Sequence, residues 1–321
     1  MKALDLFAGT GWGVACKQLG IDEVGVEIMP AAVETRAANG MNTIYNDVWD
    51  GLTPDMKLDY DILIASPPCQ TFSLAGDGAG RAALDDVLAA TKSGAYKDVM
   101  QLKQLGDATD MKTALVLTPL AHVYRDKPQY VVFEQVPPVL PVWEACAEEM
   151  RMLGYSVWTG NLNAEQYGVP QTRKRAVLIA RLDGKEALPP KPTHSKYHIS
   201  SPTTTDVGTA PWVSMKEALG WGFINRPCVT VGNSVGRGIG GGSGAQGGIA
   251  RAFAAGTFMP SPRAKDDSFS EVTRMNFTDA GLIQSYPADF EWRGTKTAIY
   301  LQIGNAVPPR LAKAVLESVL A

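Results

Sequence analysis

The stretch Lys2-Ala3-Leu4-Asp5-Leu6-Phe7-Ala8-Gly9-Thr10-Gly11-Trp12-Gly13 decides the fold. Lys2–Phe7 is a short, mostly apolar run. It breaks at a turn holding Gly9, Gly11 and Gly13, and a helical pattern continues from there to Leu19. Strand, glycine turn and helix open a β-α unit, and the rhythm repeats downstream. Val24–Ile28, Asn42–Val48, Asp61–Ser66, Gln129–Gln135, Ser156–Asn163 and Lys174–Arg181 read as further strands. Pro30 stands at the favoured first helical position and opens a helix to about Asn39; Pro141–Leu153 is another, with Gly154 as its stop. This alternation predicts an α/β fold, a mostly parallel Rossmann-like sheet with helices on both faces.

Two segments break the rhythm. Ala75–Met111 is polar, rich in Gly, Asp and Lys, and reads as a long loop or lid. From about Asp183 to Ser270 the pattern dissolves into Pro, Thr, Ser and Gly, with eight glycines in the thirteen residues Gly236–Gly248. Regular pattern returns near Thr273 and ends in the apolar helix Pro308–Leu320. The expected organisation is a first domain over 1–182, a small second domain over 183–298, and a segment over 299–321 that returns to the first.

Composition sets outer bounds. With 321 residues, 45% apolar and 20% charged, the chain is long enough to bury a large core and too apolar to be disordered throughout. A net charge of −3 excludes a general basic nucleic-acid coat, so nucleic-acid contacts must come from a local face. The charge-free apolar stretch with a helical setting, Ala114–Tyr124, is far short of the ~20 residues of a membrane span. Asp5 and the glycines stand where a signal peptide would be apolar. Cys16, Cys69, Cys146 and Cys228 form no CxxC pair, so neither a disulfide framework nor a zinc site is expected. A reducing cytoplasm follows from that usage.

The glycine turn lets backbone N–H groups approach a ligand, although three glycines alone also suit an ordinary turn. The second strand ends in Glu27, eighteen residues past Gly9, the spacing at which an acid meets ribose hydroxyls. Asp47 ends the third strand, within reach of an adenine amino group. No GKS or GKT follows the loop, and the GxGxxG spacing of a pyrophosphate site is absent. A cofactor with adenosine but no pyrophosphate fits, and S-adenosyl-L-methionine is the candidate. Ser66-Pro67-Pro68-Cys69-Gln70-Thr71-Phe72-Ser73 follows the fourth strand. Two prolines end the strand abruptly and display Cys69 at the carboxyl end of the sheet. A lone cysteine is more often a buried small hydrophobe, and Cys16, Cys146 and Cys228 are read so. Glu134 ends the fifth strand. If strands four and five are neighbours, a thiolate and a proton-donating carboxyl meet there, a set for covalent catalysis on an electron-poor ring.

In their order these residues resemble the DNA (cytosine-5)-methyltransferase family along nearly the whole chain. Asp5–Gly13 looks like its cofactor loop, Pro67-Pro68-Cys69-Gln70 its nucleophile motif, and Glu134-Gln135-Val136 its Glu-Asn-Val. Gln171-Thr172-Arg173-Lys174-Arg175 matches Gln-x-Arg-x-Arg, Arg274–Phe290 resembles the segment closing the small domain, and Gly304-Asn305-Ala306-Val307-Pro308 matches the final motif. The resemblance implies methyl transfer from S-adenosyl-L-methionine, leaving S-adenosyl-L-homocysteine, to C5 of a cytosine flipped out of double-stranded DNA. Cys69 would attack C6, Glu134 would protonate N3, and Arg173 and Arg175 would hold the base or a phosphate. Phe7, Ala8, Gly9, Gly11, Gly13, Glu27, Ile28, Asp47, Pro67, Asn305 and Val307 would hold the cofactor, Phe7 stacking near adenine and Glu27 on the ribose. Gln70, Ser73, Gln135, Gln171, Thr230 and Lys196 would face the DNA. Residues 183–298 would be the target-recognition domain, across a cleft from the catalytic one, and no metal is implied.

Three positions depart from the family's pattern. Gln135 replaces the usual asparagine, Trp12 stands where a second consecutive glycine is common, and the irregular recognition region is under ninety residues. The rivals are an RNA cytosine-5 methyltransferase of the same fold, an enzyme using a modified sulfonium, and an inactive DNA-binding module. Gln70-Thr71 favours DNA, and intact Cys69, Glu134 and Arg175 speak against inactivity. The expected setting is a monomeric prokaryotic or phage enzyme in the cytoplasm, with or without a restriction-enzyme partner.

Overall fold

The computed structural model describes residues 1–45, 47–53, 58–68, 72, 82–220, 227–229 and 276–321. Seven described strands form one sheet: β1 (Lys2–Leu6), β2 (Asp22–Val26), β3 (Asn42–Tyr45), β4 (Ile62–Ala65), β5 (Tyr130–Gln135), β6 (Ser156–Asn163) and β8 (Lys174–Arg181). Their spatial order is β3-β2-β1-β4-β5-β8-β6. Pairing from β3 through to β5 is parallel, and β8 runs antiparallel to β5. The fold is therefore α/β with a mostly parallel sheet. From β1 the chain steps outward to β2 and β3, then returns to set β4 on the other side of β1. Crossovers between parallel strands are right-handed as a rule, so the outward step from β1 to β3 and the opposite step from β4 to β5 place α1 (Gly11–Leu19) and α2 (Pro30–Ala38) on one face and the helices between β4 and β5 on the other. Ile62, Leu63, Ile64 and Ala65 are all fully buried, as the uninterrupted apolar run of a strand covered on both faces requires. Strands two and three end a few residues before the sequence suggests, and β1 stops at Leu6 because Phe7 turns to φ 59°.

The expected loop at 75–111 is a correction. Within it, residues 84–108 are largely helical, as α3 (Leu84–Ser93) and α4 (Val99–Ala108), followed by α5 (Met111–Ala114) and α6 (Thr118–Asp126). Val87, Thr91 and Leu102 are fully buried, while the charged residues that dominate the composition lie on the outer faces. Asp98 caps α4 through Met100 N, and Asp110 caps α5 through Lys112 N. After β5, α7 (Leu140–Met152) buries Trp143 against Phe133, ring centroids 5.4 Å apart.

The chain divides into two compact units, Met1–Leu162 with Lys174–Lys191 and Lys313–Ala321, and Asn163–Arg173 with Pro192–Ala312. The second has its own core of Met215, Leu219, Ala280, Ile283, Ile299, Tyr300 and Ile303. These come from α8 (Met215–Leu219), opened by a Ser214/Glu217 capping box, α9 (Phe277–Ile283) and α10 (Lys296–Asn305). A two-stranded parallel pair, β7 (Gln171–Thr172) and β9 (Cys228–Val229), also belongs to it. The helix α11 (Pro309–Leu320) closes the chain.

Under the glycine turn lies a buried charge cluster. Arg36, fully buried, donates to Glu23 Oε1 (2.7 Å), Asn42 O (2.8 Å), Thr43 Oγ1 (3.1 Å) and Gly9 O (3.1 Å). Gly25 leaves the room for it, since an added Cβ would overlap Arg36 Nη2 and come within 2.7 Å of Ala8 Cβ. A guanidinium held by four acceptors cannot step aside. Gly25→Ala is expected to cost about 1–3 kcal/mol through overpacking, measured by denaturant unfolding; an unchanged midpoint would show that Arg36 relocates freely.

Candidate active site

The sheet order reverses between β1 and β4, and ligands of open α/β sheets sit beyond the strand carboxyl ends at such a point. Two loops emerge there. The first is Phe7–Gly13. Phe7 is half-buried in the left-handed region, an uncommon conformation for a side chain of this size. Gly9 also has positive φ, 47°, with nothing within 4 Å of an added Cβ. Its peptide is clamped on both sides: Gly9 N donates to Glu27 Oε2 (2.8 Å), and its carbonyl accepts from Arg36. Met29 N donates to the other Glu27 oxygen at 2.7 Å, which fixes the carboxylate just past β2. Ile28 beside it is 69% exposed, an apolar side chain in water at the strand end. Asp47 is half-buried past β3 and accepts from Trp49 N at 3.0 Å. Open glycine backbone, a fixed carboxylate and an exposed apolar neighbour are the parts an adenosine-bearing ligand needs. Below them Asp5 is wholly buried, and that burial, with the Glu23 carboxylate, pushes its pKa well above the ordinary range.

The second loop begins at Ser66. Its N donates to Leu6 O (3.2 Å), and its hydroxyl accepts from Trp12 Nε1 (2.9 Å). Pro67 is buried, and its carbonyl accepts from Gln135 Nε2 at 2.5 Å, while Gln135 Oε1 accepts from Val136 N. Cys69, Gln70 and Ser73, and Thr230 far along the chain, lie outside the described residues. Strands four and five are neighbours, and the register Ala65↔Phe133 sets Ser66 level with Glu134. Glu134 is 5% exposed, and Arg175 Nε on β8 lies 2.9 Å from its Oε1. A buried carboxyl and a permanent cation thus share the sheet end with the Ser66-Pro67-Pro68 turn.

The remaining sequence candidates belong to the second unit. Arg173 is 1% exposed and donates to Gly304 O (2.8 Å) and, more weakly, to Gln171 Oε1 (3.4 Å). Gln171 Nε2 donates to Gln284 Oε1 (2.7 Å), and Gln284 Nε2 to Ile303 O (2.5 Å). These side chains hold the end of α10, where Asn305 is exposed and Val307 is buried. Lys196 is exposed, while nearby His198 is held by Asp206 at 2.9 Å. Arg36 and Gln284 carry no signal in the sequence, because their partners are set by packing and not by spacing. Among the described residues no group of three or more His, Cys, Asp or Glu is arranged to hold a metal.

A model of the family described as C-5 cytosine-specific DNA methylase matches residues 1–91, 101–220 and 251–321. The type II methyltransferase M1.HphI of Haemophilus parahaemolyticus is 28% identical over 355 residues, covering 99% of this chain and 86% of that protein. M.HindV of Haemophilus influenzae is 25% identical, covering 100% and 96%. Among solved structures, the Dnmt2 methyltransferase of S. pombe matches with a TM-score of 0.60 at 14% identity, over 100% of this chain and 98% of that one, a likeness of fold alone.

Gln284 is fully buried, and its amide serves Gln171 and the α10 carbonyls together. Gln284→Leu removes those hydrogen bonds and is expected to cost about 1–3 kcal/mol in denaturant unfolding. A neutral result would mean that water replaces the amide.

Proposed function

The chain belongs to the family of C-5 cytosine-specific DNA methylases, and from that membership we propose how its residues work. It is a DNA (cytosine-5)-methyltransferase. The cofactor is S-adenosyl-L-methionine, which when bound supplies an electrophilic methyl group on a sulfonium. Phe7, Ala8, Gly9, Gly11 and Gly13 would form its cradle, with Phe7 near the adenine; Glu27 would take the ribose hydroxyls, Ile28 would belong to the same binding set, and Asp47 would meet the adenine amino group. Pro67, Asn305 and Val307 complete the binding set. The fit rests on the clamped Gly9 peptide and the doubly anchored Glu27 carboxylate.

The substrate is a cytosine flipped from double-stranded DNA, since C5 and C6 are out of reach inside the stack. The Cys69 thiolate would add to C6 and Glu134 would give its proton to N3, so that electron density moves to C5; the new carbon–carbon bond would form there as the methyl–sulfonium bond breaks and S-adenosyl-L-homocysteine leaves. Water would then take the C5 proton, the electrons of that bond would expel the Cys69 thiolate, and N3 would return its proton to Glu134, which restores the ring and the acid. Arg175 orients the Glu134 carboxyl, and their 2.9 Å contact at the end of β5 carries the pairing of these two residues at one site. Arg173 acts through the Gly304-Asn305 turn and not on the base. Gln70 and Ser73 would serve the base, and Gln135 acts through the Pro67 turn that its amide holds. The second unit reads the target sequence, with Thr230 and exposed Lys196 serving the DNA; Gln171, expected to face the DNA, is fully buried on Gln284 and acts instead by holding that unit together. The working form is a monomer in the cytoplasm of a prokaryotic cell or phage-infected host.

Incubation with duplex DNA and S-adenosyl-L-methionine, then mass spectrometry of the nucleosides, is expected to give 5-methyldeoxycytidine with the wild type and none with Cys69→Ala. Glu134→Gln should lower the rate by about 10²–10⁴. Methylation surviving in Cys69→Ala would overturn the covalent route. Gln135→Asn, one methylene short of Pro67 O, should slow single-turnover methylation roughly tenfold, the kinetic equivalent of one hydrogen bond. An unchanged rate would show that this contact does not hold the turn.

A further inference from the structure

Two of the departures from the family's pattern meet on one turn. Pro67 and Pro68 have no backbone N–H, so Ser66 N is the last main-chain donor before Cys69. That donor is used on Leu6 O at 3.2 Å. The rest of the fastening comes from side chains. Trp12, in place of a glycine, donates its indole N–H to Ser66 Oγ (2.9 Å); Gln135, in place of an asparagine, donates to Pro67 O (2.5 Å). One link comes from the cofactor loop beside β1, the other from the end of β5, and they grip consecutive residues.

Trp12 is 2% exposed, so its indole N–H must find a partner or lose a water bond without return. A tryptophan held only by packing could have met a backbone carbonyl. Here the acceptor is the one hydroxyl in the turn, fifty-four positions away in sequence.

We propose that Trp12 is a positioning residue which, with Gln135, clamps the Ser66-Pro67-Pro68 turn from both sides and fixes the direction in which the chain runs into Cys69. This rests on the reading of Cys69 as nucleophile. It assigns Trp12 a role in the attack on the base, besides its place in the cofactor loop. Phenylalanine at 12 keeps most of the ring and loses the donor, alanine at 66 loses the acceptor, and threonine at 66 keeps it.

The test is single-turnover methylation with saturating cofactor and DNA on the full chain. Trp12→Phe and Ser66→Ala should each lower the maximal rate about five- to tenfold, with the KM for S-adenosyl-L-methionine changed less than twofold. The double variant should be no slower than either single, and Ser66→Thr should recover the wild-type rate. A raised KM with an unchanged maximal rate, or additive losses, would overturn the clamp and leave Trp12 as packing. A second readout needs no methylation: alkylation of Cys69 by iodoacetamide, followed by peptide mapping. It should change at least threefold in both Trp12→Phe and Ser66→Ala and not in Ser66→Thr. If the wild type made no 5-methylcytosine the functional reading would fall, and the alkylation rates would still decide the clamp, equal rates in all four proteins overturning it.

Discussion

The hydrogen-bonded seam between β1 and β4 is the constraint on which the rest depends. With β2 and β3 on one side of β1, the return to β4 makes the loops after β1 and β4 diverge from adjacent strands. The register Leu6↔Ala65 sets the glycine turn and Ser66 side by side, and Ser66 N donates across the seam to Leu6 O. A slip of one residue would send every side chain of β4 to the opposite face, with Ser66 and the prolines carried along. The position of Glu134 follows from the next seam, Ala65↔Phe133, and that of Arg175 from β8 lying against β5. The glycine turn, the Ser66-Pro67-Pro68 turn, Glu134 and Arg175 are thus brought together by three strand pairings.

Charge is buried close to these loops, and its function there is to fix geometry. A buried ion pair gains little over well-packed apolar residues, but breaking one costs several kcal/mol. Arg36 spends its donors on Glu23, two groups of β3 and the Gly9 carbonyl, which fixes the turn from beneath. Arg175 does the same for Glu134 at 2.9 Å. In both cases the guanidinium's planar fork reaches acceptors that an ammonium would serve with less direction.

Much of this was legible in the sequence, for physical reasons. The glycine turn announces itself because Gly9 takes a positive φ between a strand and a helix, and Pro67-Pro68 because two prolines cannot continue a strand. The adjacency of strands four and five stood only as a condition in the sequence, and the register Ala65↔Phe133 supplies it. Helices α3 and α4 were not legible, because their charged outer faces mask Val87 and Leu102, each buried on a helical face. Arg173 looks like a solvent-facing cation in Gln-x-Arg-x-Arg, yet it is buried because its acceptor, Gly304 O, stands 131 positions away. Trp12 was visible as a departure, and its partner Ser66 was not, since nothing local encodes a bond across the sheet. The length of Gln135 likewise makes sense only once Pro67 O is beside it.

The most direct measurement traps the covalent state. Duplex DNA carrying 5-fluorocytosine at a methylated site has no C5 proton to lose, so attack and methyl transfer leave the protein joined to DNA. With S-adenosyl-L-methionine added, the account predicts a denaturation-resistant complex whose DNA-bearing peptide maps to Cys69. Cross-linking at another residue, or methylation of the natural site with no trapped complex on its fluorinated counterpart, would contradict it.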